Sequence, residues 1–340
     1  MTARQVPLLD PAPMRFTIDS WDTGYGSAME VEGLRESDAA TTLDIERPEN
    51  RWTPIDPDPA TPAPEAVLFV DGVRRIDARV WIEDRSGTGV VSGSATTSGI
   101  CASYAAGVVC CCAGRAHVAA AHIRRGMFTI TEGAADIHTR AGIYQARKAQ
   151  PDNNIPLQLT LSAALQQHLT DTEIHTAATA RSGASDHDPI ANDLLVIDGP
   201  LRGRAHLERA VGYIKSHQTE YLPAELNAMI ATLTPGQRTP VFLMGTSWVR
   251  YSWYLRLPGP GGAPWAGVVR LEAAPQLSPD TAISLANLTQ SILGRFASEE
   301  YKDSRAPQNL YPIAGLERHL RHRLGDQQFI YRALRAAAGR

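Results

Sequence analysis

Apolar positions along the chain recur with two periods, every second residue and every third to fourth. Their order predicts strands and helices in alternation. The first strong strand signal is AVLFVDG at 66–72, an apolar run closed by a turn dipeptide. RRIDARVWIED follows, with Ile76, Ala78, Val80 and Ile82 on one face, and ASYAAGVVCCCAG and HVAAAHI continue the sheet as a meander. From Leu157 to Ala180 the period changes: Leu161, Leu165 and Leu169 step by four along one side of a helix. DLLVIDG (193–199) is a second buried strand, RAVGYIKSH (209–217) a further one, and PAELNAMIATL a short helix. TPVFLMG, SWVRYSWYLRL and WAGVVRLEA are strands, the last two joined by the turn PGPGGAP. Ser278-Pro279-Asp280 starts another helix, and Ile313, Leu316, Leu320 and Leu324 form a terminal helical stripe. The expected fold class is α/β, a mixed sheet flanked by helices, with residues 67–340 as one domain.

The first 66 residues differ. They carry thirteen acidic and five basic side chains and end in PIDPDPATPAPEA, which reads as an extended arm or linker, with room for one strand in MRFTIDSW. The net charge of −3 therefore hides a balance of +5 on the remaining residues, and eight Lys/Arg against three acids from Tyr301 to Arg340. Charges more than about 10 Å apart are largely screened, so this distribution keeps a polyanion partner open. No apolar run is long enough to span a bilayer and the N-terminus lacks the core of a secretory signal, so the expected location is cytoplasmic. Cys101, Cys110, Cys111 and Cys112 crowd one segment. Adjacent cysteines on a strand face opposite ways, so the four together suit small apolar packing better than one metal site.

The chemistry begins with a repeated phrase. Asp71 and Asp198 each follow four apolar residues and precede glycine. One Asp-Gly is ordinary turn chemistry, whereas two at the ends of neighbouring buried strands fit the place where α/β sheets gather ligands. Glu173 continues the row Leu161, Leu165, Leu169. Either it points inward, where a lone charge needs a cation, or the row drifts and leaves it at the solvated edge. Converging carboxylates with open positions suit Mn²⁺ or Mg²⁺, the ions of phosphoryl chemistry. Arg202 and Arg204, just past Asp198, are either a phosphate clamp or a solvated turn. Arg250, Tyr254 and Arg256 share a strand face, which is either a stacking platform for single-stranded nucleic acid or aromatic packing with snorkelling arginines. No phosphate-loop or nucleophile-elbow pattern occurs.

An Asp on the first strand, a Glu in the first long helix and an Asp ending the fourth strand resemble the ribonuclease-H-like nucleases. More narrowly, FVDG, Glu173, LLVIDGPL, VGYIKSHQTEYLP, RTPVFLMG, WYLRLPGPGGAPWAGVVRLE and YKDSRAPQNLYPIAGLERHLR resemble the NurA nucleases over roughly residues 67–325. The resemblance implies a Mn²⁺-dependent DNA nuclease with 5′-to-3′ exonuclease and single-strand endonuclease activities. It also implies a homodimer that works with a hexameric HerA-type ATPase. Carried over residue by residue, Asp71, Glu173 and Asp198 match the metal-binding acids, and Lys215 matches a phosphate-facing base. The family's final histidine has no counterpart at its place. Asp303 or Asn309 is the expected substitute oxygen ligand, with His319 further off and Arg305 as a DNA contact. The rival readings are a catalytically silent scaffold on the ATPase, and an adaptor whose acidic arm is the functional surface.

Overall fold

The computed structural model describes residues 35–37, 39–83, 96–152, 154–182, 192–259 and 264–338. The expected MRFTIDSW strand lies outside them. The chain order is β1 (Arg35–Glu36), β2 (Ala40–Thr42), β3 (Ala66–Glu83), β4 (Thr96–Cys112), β5 (Arg115–Thr129), β6 (Ile137–Thr139) and β7 (Gly142–Lys148). Then come α1 (Leu157–Arg181), β8 (Asp193–Asp198), β9 (Ala210–Ile214), β10 (Thr219–Glu220), α2 (Ala224–Thr232), β11 (Phe242–Gly245), β12 (Val249–Arg256) and β13 (Val268–Ala273). Helices α3 (Pro279–Ile292), α4 (Tyr311–Arg323) and α5 (Gln327–Ala338) end the chain.

Eleven strands form one sheet in the order β2-β11-β12-β13-β9-β8-β3-β4-β5-β7-β6. Its centre is the meander β3-β4-β5 followed by α1 and then β8 and β9, both parallel to β3. In order of appearance these five strands lie 3-2-1-4-5, which is broadly ribonuclease-H-like and matches the mixed α/β expectation. Side-chain alternation gives the central strands two buried faces. Ala66, Leu68, Val70, Leu195 and Ile197 pack with Ala177 of α1. Val67, Phe69, Leu194, Val196, Val211 and Tyr213 pack with α3 and with Ile313 of α4. Ser278 caps α3 by accepting the Thr281 N–H at 3.2 Å, as its Ser-Pro-Asp start predicts.

Two expectations are corrected. The first strand does not end at Gly72: AVLFVDG and RRIDARVWIE are one 18-residue strand. Its register with β4 slips between Ile76 and Ala78, so Asp77 is an inserted residue. The slip leaves Ile76 exposed, while Ala78, Val80 and Ile82 pack with Ile330 and Leu334 of α5. Asp77, turned inward, accepts hydrogen bonds from Ser103 Oγ at 2.5 Å and Tyr144 OH at 2.9 Å. The second correction concerns the acidic segment. From Ala40 onward it is built into the body: β2 pairs with β11, and Leu43 and Trp52 are buried. Glu46 also receives two N–H groups of the buried Arg238 at 2.7 Å each.

Candidate active site

The parallel pairing of β3 with β8 runs from Ala66–Asp193 to Val70–Ile197 and stops. Asp71 and Asp198 are the next residue on each strand, so both carboxylates stand where the backbones part. By alternation both share the face of Phe69 and Val196, beneath α3 and α4. Asp71 is buried, and its Oδ1 accepts the Gly72 N–H at 2.7 Å. Asp71 Oδ2 and Asp198 Oδ1 are buried and accept no hydrogen bond among the described residues. Burial first, and then the neighbouring Asp198, hold the Asp71 carboxyl well above the ordinary carboxylate range. Lys215, just beyond β9, donates to Asp198 Oδ2 at 2.7 Å and to Asn309 Oδ1 at 3.1 Å. Asn309 in turn donates to Asp303 Oδ2 at 2.8 Å. Asp303 and Asn309, expected as substitute ligands, are thus engaged in holding Lys215.

Glu173 settles the open question about its row, because the stripe Leu161, Leu165, Leu169, Glu173 and Ala177 of α1 stays buried. The cation it needs is Arg204, whose guanidinium pairs with Glu173 Oε2 and also donates to Pro200 O at 2.9 Å and Thr170 Oγ1 at 3.3 Å. Arg204 is therefore a buried counter-ion, not a side chain free to clamp phosphate. Even so, burial and the nearby Asp198 outweigh Arg204 and leave the Glu173 carboxyl above its usual range. Glu173 approaches from the α1 side, over Gly72. The two Asp-Gly pairs have different causes. Gly199 has φ +95°, a turn conformation that suits glycine. Gly72 sits within an extended strand, and a Cβ there would lie 2.5 Å from Glu173 Oε1 and 2.7 Å from Leu169 Cδ1. Gly72→Ala should push α1 off the sheet and lower stability by about 1–3 kcal/mol, read as a lower urea midpoint. An unchanged midpoint would mean the helix is not seated on this glycine.

The space between these groups is a cleft of about 650 Å³, lined by Asp71, Gly72, Glu173, Asp198, Arg202 and Arg204 among others. Arg202 is exposed at its rim, as is Arg74. On the opposite side Glu317 of α4 feels the same charges. Burial raises its carboxyl, but Arg305, Lys215 and Arg321 together hold it below the ordinary range. Glu317 also adds to the repulsion on Asp71, a role that the apolar stripe Ile313, Leu316, Leu320 and Leu324 of its helix does not signal. The donor set fits a hard divalent cation at Asp71 and Asp198, since each keeps a buried carboxylate oxygen without a hydrogen bond among the described residues and the two groups repel one another.

The remaining predicted contacts lie elsewhere. Arg250 is buried and bonded to Glu272, Tyr254 is 1% exposed, and Arg256 donates to the carbonyls of Ala266 and Ala231. Strand β12 is covered on both faces, so these three present no stacking surface. Arg305 is half-buried and pairs with Glu317 at 2.8 Å. Far along the β4–β5 hairpin, Cys110, Cys112 and His117 each place a ligand atom within 4.8 Å of the others, a metal-competent trio among the described residues. Cys110 is meanwhile buried in an apolar cluster, as a small hydrophobe would be.

Among the described residues no helix is long and apolar enough to cross a membrane. No family model matches the chain, and no curated protein matches it. Among solved structures, the NurA nuclease from Sulfolobus solfataricus shows a weak likeness, with 9% identity and a TM-score of 0.38 over 80% of this chain and 84% of that one.

Proposed function

We propose that the cleft is the active centre of a metal-dependent DNA nuclease, with Asp71 and Asp198 holding Mn²⁺ or Mg²⁺. The observation that carries this reading is a buried and a half-buried carboxylate, Asp71 and Asp198, each with one buried orphaned oxygen, at the parting of two parallel strands. Two such charges are costly together unless a cation stands between them. A divalent ion there would supply Lewis acidity toward a phosphoryl oxygen and lower the pKa of water. Lys215 commits two of its three N–H donors to Asp198 and Asn309 and has one left for a phosphate oxygen. Arg202 and Arg74, at the rim, meet flanking phosphates. Glu173 borders the site and fixes the α1 side through Arg204. The sequence resemblance extends the proposal to 5′-to-3′ exonuclease and single-strand endonuclease activity, to a homodimer, and to a HerA-type hexameric ATPase as partner. The acidic N-terminal segment serves to contact that partner or to shield the basic cleft.

A second reading is favoured by one observation: Arg204 and Lys215 already neutralise two of the three acids, as in a silent scaffold. End-labelled single- and double-stranded DNA, incubated with Mn²⁺, Mg²⁺ or EDTA, separates the two. The nuclease reading expects cleavage with Mn²⁺ that EDTA removes and that is absent from Asp198→Asn. No cleavage by the wild-type protein, with and without the ATPase, would leave only the scaffold.

A further inference from the structure

We infer that Cys110, Cys112 and His117 form a second metal site, of a chemistry opposite to that of the cleft, which takes Zn²⁺ and clasps the end of the β4–β5 hairpin. Cys110 and Cys112 are two residues apart on β4, so their side chains leave the same face of the sheet. His117 on β5 stands directly opposite Cys110 in the antiparallel register, which puts its ring on that face as well. Cys111 leaves the other way and packs with the α3 and α4 side of the core. The hairpin register therefore selects two of three consecutive cysteines and adds a histidine five residues past the second.

The spacing fits the ion. One ligand atom from each of the three residues lies within 4.8 Å of the other two, and a tetrahedral zinc site with Zn–S of about 2.3 Å requires ligand atoms about 3.8 Å apart. The closure needed is therefore at most about 1 Å between any two ligand atoms. Two sulfurs and an imidazole prefer zinc over the hard cations that suit the Asp71–Asp198 pair. Cys110 is buried while Cys112 and His117 are half-buried, so solvent has access to a fourth position. The hairpin also has a use for a clasp. Its two-residue turn, Ala113-Gly114, has φ +46° and +74°, and an alanine in the left-handed region costs about 1–2 kcal/mol. Holding Cys112 to His117 across the strands would pin this turn.

The test is titration of the full-length, chelator-stripped protein with Co²⁺, followed by displacement with Zn²⁺. One equivalent of Co²⁺ should produce the near-ultraviolet thiolate-to-cobalt absorption, and Zn²⁺ should remove it. A cobalt ion held only by carboxylates of the cleft has no such band, so the outcome is independent of the nuclease reading. Cys112→Ala should lose the band and His117→Ala should weaken Co²⁺ binding at least about tenfold. Cys111→Ala, checked for native circular dichroism, should bind as the wild type does. Absence of the thiolate band in the wild type, or equal loss in Cys111→Ala and Cys112→Ala, would overturn the site and leave the cysteines as core packing.

Discussion

Asp71→Asn is expected to lower Mn²⁺-dependent DNA cleavage at least about a thousandfold, equivalent to about 4 kcal/mol of transition-state stabilisation, while the protein becomes no less stable. The two effects have one cause. Asp71 is buried beside Asp198, and its carboxyl is held well above the ordinary range by that burial and that repulsion. The folded state therefore binds the Asp71 proton more tightly than the unfolded state does. Protonation favours folding, and the ionised group opposes it at neutral pH. An amide keeps the acceptor for the Gly72 N–H and removes the charge, so the apo protein should gain about 0.5–2 kcal/mol. What the amide cannot do is share a cation with Asp198. Steady-state cleavage of labelled DNA and a urea melt of the same preparation measure both. A variant that loses stability and activity in parallel would mark Asp71 as a structural acid.

How much of this was legible in the sequence varies with the range of the interaction. Continuous apolar runs located the central strands, because burial on both faces removes the alternation that a half-exposed strand shows. The four-residue step through Leu161, Leu165 and Leu169 led to Glu173 but left its facing open, because a period of about 3.6 residues drifts around the helix; the structure turns it inward. Gly72 was misread because Asp-Gly has a local explanation, whereas its real constraint is a helix arriving some hundred residues later. The slip at Asp77 has no local signal, since the residues it serves, Ser103 and Tyr144, come from other strands. Arg250 and Arg256 looked like surface cations for the same reason. Their partners are Glu272 on the neighbouring strand and carbonyls of the following loop and α2, which no alternation pattern reveals. The trio at the hairpin was within reach. CCCAGRAH contains both the i, i+2 pair and a two-residue turn, but weighing all the cysteines as one set concealed it.

Arg204→Met tests the other side of the cleft and should cost about 3–5 kcal/mol, because it strands a buried carboxylate rather than merely deleting a contact. Glu173 is 5% exposed and its charge is met by the Arg204 guanidinium. Without Arg204 nothing opposes the burial that already raises this carboxyl. The variant's Glu173 would then hold its proton still more tightly when folded than when unfolded. Its deficit relative to wild type should be small below the unfolded carboxylate range and grow as pH rises toward neutrality. Adding Glu173→Gln should recover most of the loss at neutral pH and flatten that pH dependence, since no buried charge remains on either side. Urea midpoints of the two single variants and the double variant at pH 4.5 and 7.5 provide the cycle. If the double variant is as unstable as Arg204→Met at both pH values, the damage lies in packing around Thr170 and Pro200, and the ion pair is not what anchors α1. If the double variant recovers its stability and still cleaves DNA, Glu173 serves the fold alone, and the chemistry rests on Asp71 and Asp198. Recovery of stability without cleavage would give Glu173 a part in the reaction that its pairing with Arg204 conceals.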